Sequence, residues 1–193
     1  SAPTSAPTPA PDRMDGPCVV KVGGSLLDLP ELIPRLAQWL EAELPAETAL
    51  LVGGGTVADA VRRFDATHHL GEITGHWMAV RAMALNTAML ALKLPGLELA
   101  TTPDETRAAW GRGRAVLLEP LNWLRAEERN GTGPPHRWSF TSDSIAAHLA
   151  RRLEARRLVL AKSALPAARD VVEAAREGFL DADFPAASRS LPH

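Results

Sequence analysis

The chain has 193 residues, of which 46% are apolar and 23% are charged, and its net charge is -2. This charge excludes a strongly basic nucleic-acid-binding protein, and no run of about 18 apolar residues exists that could span a membrane. We therefore expect neither a nucleic-acid nor a membrane partner. No secretory signal is visible and the single cysteine, Cys18, fits a reducing compartment, so we expect a cytoplasmic protein.

Strands and helices alternate along the chain after a proline-rich start. Residues 1–17 hold five prolines among small polar residues, which predicts a disordered tail, and residues 18–193 are expected to form one domain. In chain order, the patterns predict a strand over 18–22, a helix over 31–44, a strand over 48–52, helices over 56–64 and 74–93, strands over 97–101 and 115–118, a polar loop over 125–137, a helix over 143–154 and a strand over 158–161. Thr56, Thr74 and Ser142 are the expected N-caps of three of these helices. The alternation predicts an α/β domain with a mainly parallel sheet.

Two of the predicted strands run directly into glycines. The first ends in Lys21-Val22-Gly23-Gly24-Ser25, and the second is followed by Gly53-Gly54-Gly55-Thr56. Ligands bind at the carboxyl ends of parallel strands, where glycines let backbone N–H groups approach an anion. Lys21 is a charge within an apolar strand, which is costly to bury unless it meets an anion. The pattern predicts a phosphate site; the alternative is two ordinary tight turns with Lys21 on an exposed face.

The second glycine turn also fits a relaxed dinucleotide-binding pattern, Gly53-x-Gly55-x-x-Ala58. The acidic residue that this pattern requires about 20 residues later would be Glu72, which lies in a His- and Gly-rich turn. We rank this interpretation second.

A third segment, Trp138-Ser139-Phe140-Thr141-Ser142-Asp143-Ser144, leads into a predicted helix. Asp143 either interacts favourably with the helix dipole or has a functional role. In that role it would orient Lys21 or bind a substrate amine or a metal. His68, His69 and His76 carry no Cys or carboxylate at ligand spacing, so we expect no protein-bound metal.

These three segments, in this order and spacing, resemble the amino acid kinase family. Within it, the local sequence is most similar to small kinases of methanofuran biosynthesis, which phosphorylate an aminomethylfuran-methyl phosphate. That likeness lies in Gly75-His76-Trp77, in residues 136–145 and in Leu180-Asp181-Ala182-Asp183-Phe184-Pro185. The resemblance implies an αβα sandwich, ATP with Mg²⁺ as the phosphoryl donor, a small phosphorylated acceptor and a homo-oligomer.

The resemblance also implies a role for each site residue. Lys21 and Asp143 are the implied catalytic residues. Lys21, Gly23, Gly24, Ser25 and Lys162 are the implied contacts of the nucleotide phosphates. Gly53, Gly54, Gly55, His76, Arg81 and Ser142 are the implied acceptor contacts, although a helix-terminal His76 and a solvated Arg81 are open alternatives.

The sequence departs from the family pattern after the strand at 158–161. A turn of the type T-D-x-x-G is expected there, and the chain has Lys162-Ser163-Ala164-Leu165 instead. Lys162 is expected either to contact phosphate or to be a solvated residue at the strand end. The chain also stops earlier than its relatives, so we expect a shortened C-terminal part. The alternative function is therefore a non-catalytic ligand-binding or assembly subunit with a kinase-like fold.

Overall fold

A five-stranded sheet forms the centre of the protein. The computed structural model describes residues 16–42 and 44–191. All four strand pairings are parallel, and the strand order is β3-β4-β2-β1-β5. The strands are β1 (Cys18–Val22), β2 (Thr48–Val52), β3 (Glu98–Ala100), β4 (Val116–Leu118) and β5 (Arg157–Ala161). The predicted α/β fold is confirmed, whereas the predicted tail falls, except for residues 16 and 17, outside the described residues.

Helices connect the strands in sequence. They are α1 (Leu32–Ala42), α2 (Gly55–His68), α3 (Glu72–Ala91), α4 (Pro103–Gly111), α5 (Pro120–Arg129), α6 (Ser142–Arg152), α7 (Val171–Arg176) and α8 (Phe184–Ala187), and a 3-10 helix covers Gly24–Asp28. Within the described residues, none of these helices combines the length and apolarity that crossing a membrane requires.

Both faces of the sheet are covered, because alternate residues of the central strands belong to different apolar clusters. Val19 and Leu51 pack with residues of α3, α4, α5 and α6. Val20 and Leu50, which point the other way, pack with α1 and the C-terminal part of α3. Parallel sheets are typically buried on both sides in this manner. The expected αβα sandwich is therefore confirmed.

The centre of the sheet explains how a lysine can be buried in β1. Strand β1 pairs with β2 on one side and β5 on the other, so Lys21 lies in register between Leu51 and Leu160. Successive strand residues face opposite sides of a sheet, so Lys21 shares the side of Val19. That side is the one on which α6 packs. The sequence thus directs the Lys21 side chain towards the start of α6.

Three predicted helix starts are wrong by one or two residues. The helix that begins at Gly55 has Gly54 in the N-cap position, so Thr56 lies inside it. The long helix begins at Glu72 after Gly71, whose φ of 81° suits glycine, and Thr74 lies inside it. Thr141 rather than Ser142 holds the N-cap position of α6, and its own side chain does not cap the helix.

Two further expectations fail. The predicted loop over 125–137 is helical as far as Arg129 in α5, so the connection covers only residues 130–141. The dinucleotide interpretation needs Glu72 at the end of a strand, but α2 is followed directly by α3, and Glu72 lies in the first turn of that helix. Helices α4, α5, α7 and α8 were not expected from the sequence.

Candidate active site

The two glycine turns lie against each other at the carboxyl ends of β1 and β2. A Cβ atom placed on Gly24 would lie 2.2 Å from the backbone nitrogen of Gly55, and one on Gly55 would lie 2.8 Å from the carbonyl oxygen of Gly24. Gly55 also has a φ of 50°, which strains any residue with a side chain. Only glycines permit this backbone contact, so the two predicted phosphate-binding turns form one continuous surface.

Lys21 is buried beside these turns and faces a carboxylate. The residue is 4% exposed, and its Nζ lies 2.8 Å from Asp143 Oδ1 at the start of α6. Burial lowers the pKa of Lys21 below its ordinary value, and the nearby carboxylate of Asp143 offsets part of this effect. The alternative that Lys21 lies on an exposed strand face is therefore wrong.

Lys162, at the end of β5, supplies a second ammonium group to the same carboxylate. Its Nζ donates to Asp143 Oδ2 at 2.8 Å and also to the carbonyl oxygen of Phe179. Burial alone would raise the pKa of Asp143, but the two ammonium groups outweigh it and hold the pKa below the ordinary value. Lys162 is therefore not a solvated residue. The ion cluster of Lys21, Asp143 and Lys162 joins β1, α6 and β5 at one edge of the sheet.

A cavity of about 170 Å³ opens next to the glycine turns. It is bounded by the turns themselves, by α2 and α3, and by residues 137–142. The polar lining residues include Ser25, Asp59, Arg62, His76, Arg137, Thr141 and Ser142. Two guanidinium groups and the amide-rich turns make this cavity suitable for an anionic ligand.

His76 lies in the wall of this cavity and is 2% exposed. Its Nε2 has no hydrogen-bond partner among the described residues. Burial, with a smaller contribution from the neighbouring His136, lowers the pKa of His76 to about 4. His76 therefore presents a neutral imidazole at neutral pH, and the alternative of a helix-terminal, solvated histidine is wrong.

Trp138 forms the outer wall of the cavity and is held from three sides. Its indole N–H donates to Asp65 Oδ2 at 2.8 Å, and the guanidinium carbon of Arg62 lies 5.6 Å from its ring centre. A Cβ atom on Gly75 would lie 2.5 Å from the indole ring, so the tryptophan packs directly on the backbone of α3. The sequence pattern indicated Trp138 only as part of a motif and gave no signal for Arg62.

Most of the predicted site residues lie close together in the structure, and one lies away from the cavity. Gly23 extends the pairing of β1 because its N–H donates to the Ala161 carbonyl oxygen at 2.8 Å. Gly53 lies close to Gly24 and to the Ser142 hydroxyl. Arg81, by contrast, is exposed and does not line the cavity. We therefore leave Arg81 out of the acceptor site, contrary to the sequence-based expectation.

Metal binding by protein groups alone has no support in the described ranges. No group of three or more His, Cys, Asp or Glu side chains lies close enough there to hold a metal ion. His68 and His69 are exposed, whereas His76 is buried in the cavity wall.

The chain is similar to known proteins in sequence and in fold. The sequence model of the amino acid kinase family matches residues 16–164. A curated [5-(aminomethyl)furan-3-yl]methyl phosphate kinase from Methanocaldococcus jannaschii is 24% identical over 144 residues, which cover 74% of this chain and 64% of that protein.

Solved structures with a similar fold include kinases of uridylate. The uridylate kinase of Archaeoglobus fulgidus has a TM-score of 0.57 at 22% identity, with 77% of this chain and 63% of that chain covered. The UMP kinase of Bacillus anthracis has a TM-score of 0.62 at 13% identity, with 90% and 83% covered. At these identities the likeness concerns the fold. The chain spans less than two thirds of the length of the curated kinase and of the A. fulgidus enzyme.

Proposed function

The chain belongs to the amino acid kinase family, and from this premise we propose that it is an ATP-dependent phosphotransferase acting on a small phosphorylated metabolite. The observation that carries the proposal is the ion cluster of Lys21, Asp143 and Lys162 beside two touching glycine turns. Phosphoryl transfer depends mainly on in-line positioning and on neutralising the charge of the transferred group. Two fixed ammonium groups next to two amide-rich turns supply both requirements.

We assign the nucleotide to the turn after β1 and the acceptor to the turn after β2. In this proposal Gly24, Ser25 and Lys162 contact the β- and γ-phosphates of ATP, whereas Gly23, whose N–H is already donated to the Ala161 carbonyl oxygen, only shapes the turn. Lys21 bridges the transferred phosphoryl group, and Asp143 orients both lysines. Mg²⁺ enters with ATP as part of the nucleotide substrate, held mainly by phosphate oxygens and water.

The acceptor lies in the cavity, where Gly54, Gly55, His76 and Ser142 contact it. Gly53 is not among these contacts, because its N–H donates to Val22 and its carbonyl oxygen accepts from Asn86. A phosphate oxygen of the acceptor attacks the γ-phosphorus of ATP, the bond to the β,γ-bridging oxygen breaks, and ADP leaves with a diphosphate as the second product. Lys21, at the carboxyl end of β1, is suited to neutralise the charge of the phosphoryl group during this step because Asp143 holds its ammonium group in place.

The size of the cavity favours a compact acceptor. About 170 Å³ is below the roughly 300–1,000 Å³ typical of sites for larger ligands. Arg62 and Arg137 line the cavity and suit a phosphate group. Together with the relative from M. jannaschii, this supports an aminomethylfuran-methyl phosphate as the acceptor. A cytoplasmic location remains part of the proposal.

We also propose that the chain forms homo-oligomers through α3. Met78 and Leu85 of this helix and Leu92 at its end are 40%, 51% and 82% exposed. Their seven-residue spacing places them along one seam, as in helices that pair with a second helix. We expect light scattering to report an oligomer for the parent protein and a smaller species for Leu85→Asp. An unchanged mass would exclude this seam.

The function is tested by ADP release with MgATP and [5-(aminomethyl)furan-3-yl]methyl phosphate. Lys21→Ala is expected to abolish ADP release while circular dichroism shows an intact fold, and Lys93→Ala, at an exposed position, is the matched control. Equal ADP release from Lys21→Ala and the parent would refute the proposal. Absence of saturable MgATP binding in calorimetry would instead favour the alternative, a non-catalytic ligand-binding or assembly subunit.

A further inference from the structure

Helix α6 is capped by a residue far along the chain. Thr141 holds its N-cap position, but the Thr141 side chain makes no capping hydrogen bond. The carboxylate of Asp181 takes this role instead. Its Oδ2 accepts from the backbone N–H of Thr141 at 3.2 Å and of Ser144 at 2.8 Å. A charged acceptor on the first-turn N–H groups is the favourable arrangement for a helix N-terminus.

Side-chain hydroxyls strengthen the same contact. Thr141 Oγ1 donates to Asp181 Oδ2 at 2.9 Å, and Ser144 Oγ donates to Asp181 Oδ1. Four donors from two residues therefore converge on one carboxylate. Hydrogen bonds to an ionised acceptor are roughly twice as strong as those between neutral groups. The first turn of α6 is thus fixed in position and not merely capped.

Asp143 lies between the two residues that Asp181 holds. Its carboxylate faces Lys21 and Lys162, each at 2.8 Å. Any shift of the first turn of α6 would move the Asp143 carboxylate away from one ammonium group or both. Reacting groups need placement to within about 0.5 Å, and a displacement of 1 Å can lower a rate by about 100-fold.

The segment that carries Asp181 is itself anchored to the site. Leu180 and Phe184 are buried with Ala147 of α6. The carbonyl oxygen of Phe179, two residues before Asp181, accepts a hydrogen bond from Lys162. One short segment therefore holds Lys162 through its backbone and α6 through its carboxylate, which fixes the relative positions of Asp143 and Lys162.

We propose that Asp181 is a positioning residue for phosphoryl transfer. It clamps the first turn of α6, and this fixes the Asp143 carboxylate where it holds both Lys21 and Lys162. This inference rests on the proposed function. Asp181 does not line the cavity beside the glycine turns, and it acts through Asp143. The arrangement makes the segment around Asp181 part of the active-site framework, although it follows the last strand.

Asp181→Asn tests the clamp, because the amide keeps the shape of the carboxylate but loses its charge and one acceptor. Asp170→Asn is the matched control, because it removes the same charge from a carboxylate that caps another helix. Asp170 accepts from the backbone N–H groups of Val172 and Glu173 in the first turn of α7, each at 2.8 Å. With MgATP and [5-(aminomethyl)furan-3-yl]methyl phosphate, we expect Asp181→Asn to lower kcat at least tenfold with each KM within about threefold. Asp170→Asn should stay within twofold of the parent.

A second readout does not depend on catalysis. The chain has three lysines, Lys21, Lys93 and Lys162, so their side-chain resonances are easily assigned in a lysine-labelled sample. The negative charge of Asp181 contributes to raising the pKa of Lys21, so the Asn variant should titrate Lys21 at a lower pH than the parent. Because the charge of Asp181 acts on Lys21 directly, the clamp itself is read from Lys162. A residue that contributed only its charge or stabilised only the C-terminal segment would leave the Lys162 resonances unchanged.

The two readouts separate the two proposals. A parent that transfers phosphate, together with an Asp181→Asn variant whose kcat matches that of Asp170→Asn, overturns the clamp and leaves the kinase proposal standing. A parent that transfers no phosphate refutes the kinase proposal. In that case unchanged Lys162 resonances in Asp181→Asn overturn the clamp, and a selective change in the Lys162 resonances supports it.

Discussion

Replacing Asp143 with asparagine removes the carboxylate that two buried lysines share. Lys21 and Asp143 side chains are each 6% exposed and Lys162 is 16% exposed, so solvent cannot compensate for the lost charge. Breaking a buried ion pair by removing one partner costs about 3–5 kcal/mol, because the remaining charge stays desolvated. We expect Asp143→Asn to lower the free energy of unfolding by this amount and to abolish phosphotransfer.

The assay is urea denaturation of the parent, Asp143→Asn and a surface control. Glu128→Gln breaks the Arg125–Glu128 pair, whose separation is also 2.8 Å but whose side chains are 36% and 35% exposed. Exposed pairs contribute about 0–1 kcal/mol. Asp143→Asn removes two buried pairs and Glu128→Gln removes one more exposed pair of the same length. The two losses should therefore differ several-fold, mainly because of burial.

The pH dependence of Asp143→Asn gives an independent signature. Without the carboxylate, burial holds the folded-state pKa of Lys21 still further below the 10.5 of an unfolded lysine. Between these two pKa values the unfolded state binds more protons than the native state. The free energy of unfolding of the variant should rise with pH in that interval, by at most about 1.4 kcal/mol per pH unit. A loss no larger than that of Glu128→Gln, with no such rise, would refute the reasoning.

Three other predictions follow from the same contacts. Gly24→Ala places a Cβ 2.2 Å from the Gly55 nitrogen, so we expect the free energy of unfolding in urea to fall by about 1–3 kcal/mol. Gly96→Ala, where no atom lies within 4 Å of the added Cβ, should change it by less than about 0.5 kcal/mol. Equal effects of the two substitutions would contradict the contact between Gly24 and Gly55. Because burial lowers the pKa of His76 from 6.5 to about 4, the unfolded state takes up a proton in that interval that the native state does not. Stability should fall as pH drops from 6.5 to 4, and less steeply in His76→Phe; parallel curves would argue against a buried neutral imidazole. Cys18 is buried, and burial raises the pKa of its thiol to about 11. A thiol reagent at pH 8 should therefore label Cys18 only when the protein unfolds. Rapid labelling of the native chain would contradict this burial.

The features that sequence could predict are those encoded by neighbouring residues. The strands that end in Gly23-Gly24 and Gly53-Gly54-Gly55 were recognisable because a buried parallel strand is a short β-branched or apolar run bounded by glycine. Lys21 stood out because its charge interrupts such a run. Asp143 was recognisable only as an acidic residue in a first helical turn, and its pairing with two lysines required the three-dimensional structure.

Some of the missed helices carry a sequence signal from which they could have been predicted. Helix α4 starts after Thr102, whose Oγ1 accepts from the Glu105 N–H at 3.1 Å, while Glu105 accepts from the Thr101 N–H at 2.7 Å. Thr102-Pro103-Asp104-Glu105 is a recognisable helix start, with proline in the first turn. Residues 125–129, which their polar composition assigned to a loop, continue helix α5, whereas residues 130–137 do form a connection.

Other features lay beyond local pattern. The cap of α6 comes from Asp181, 40 residues after Thr141. No propensity or spacing rule connects residues so far apart. The same holds for Lys162, whose role depends on β5 lying next to β1 and on the Phe179 carbonyl oxygen. The sequence shows that the expected T-D-x-x-G turn is absent. It does not show which group lies beside Asp143 instead.

The contact between Gly24 and Gly55 has a consequence for how related sequences could diverge. Only backbone atoms meet where the two glycine turns touch, so neither turn can gain a side chain at this contact. A related protein that binds a different acceptor must therefore differ in the other walls of the cavity, at α2, α3 or residues 137–142, and keep both glycines. Sequence variation among related proteins should accordingly concentrate in those walls.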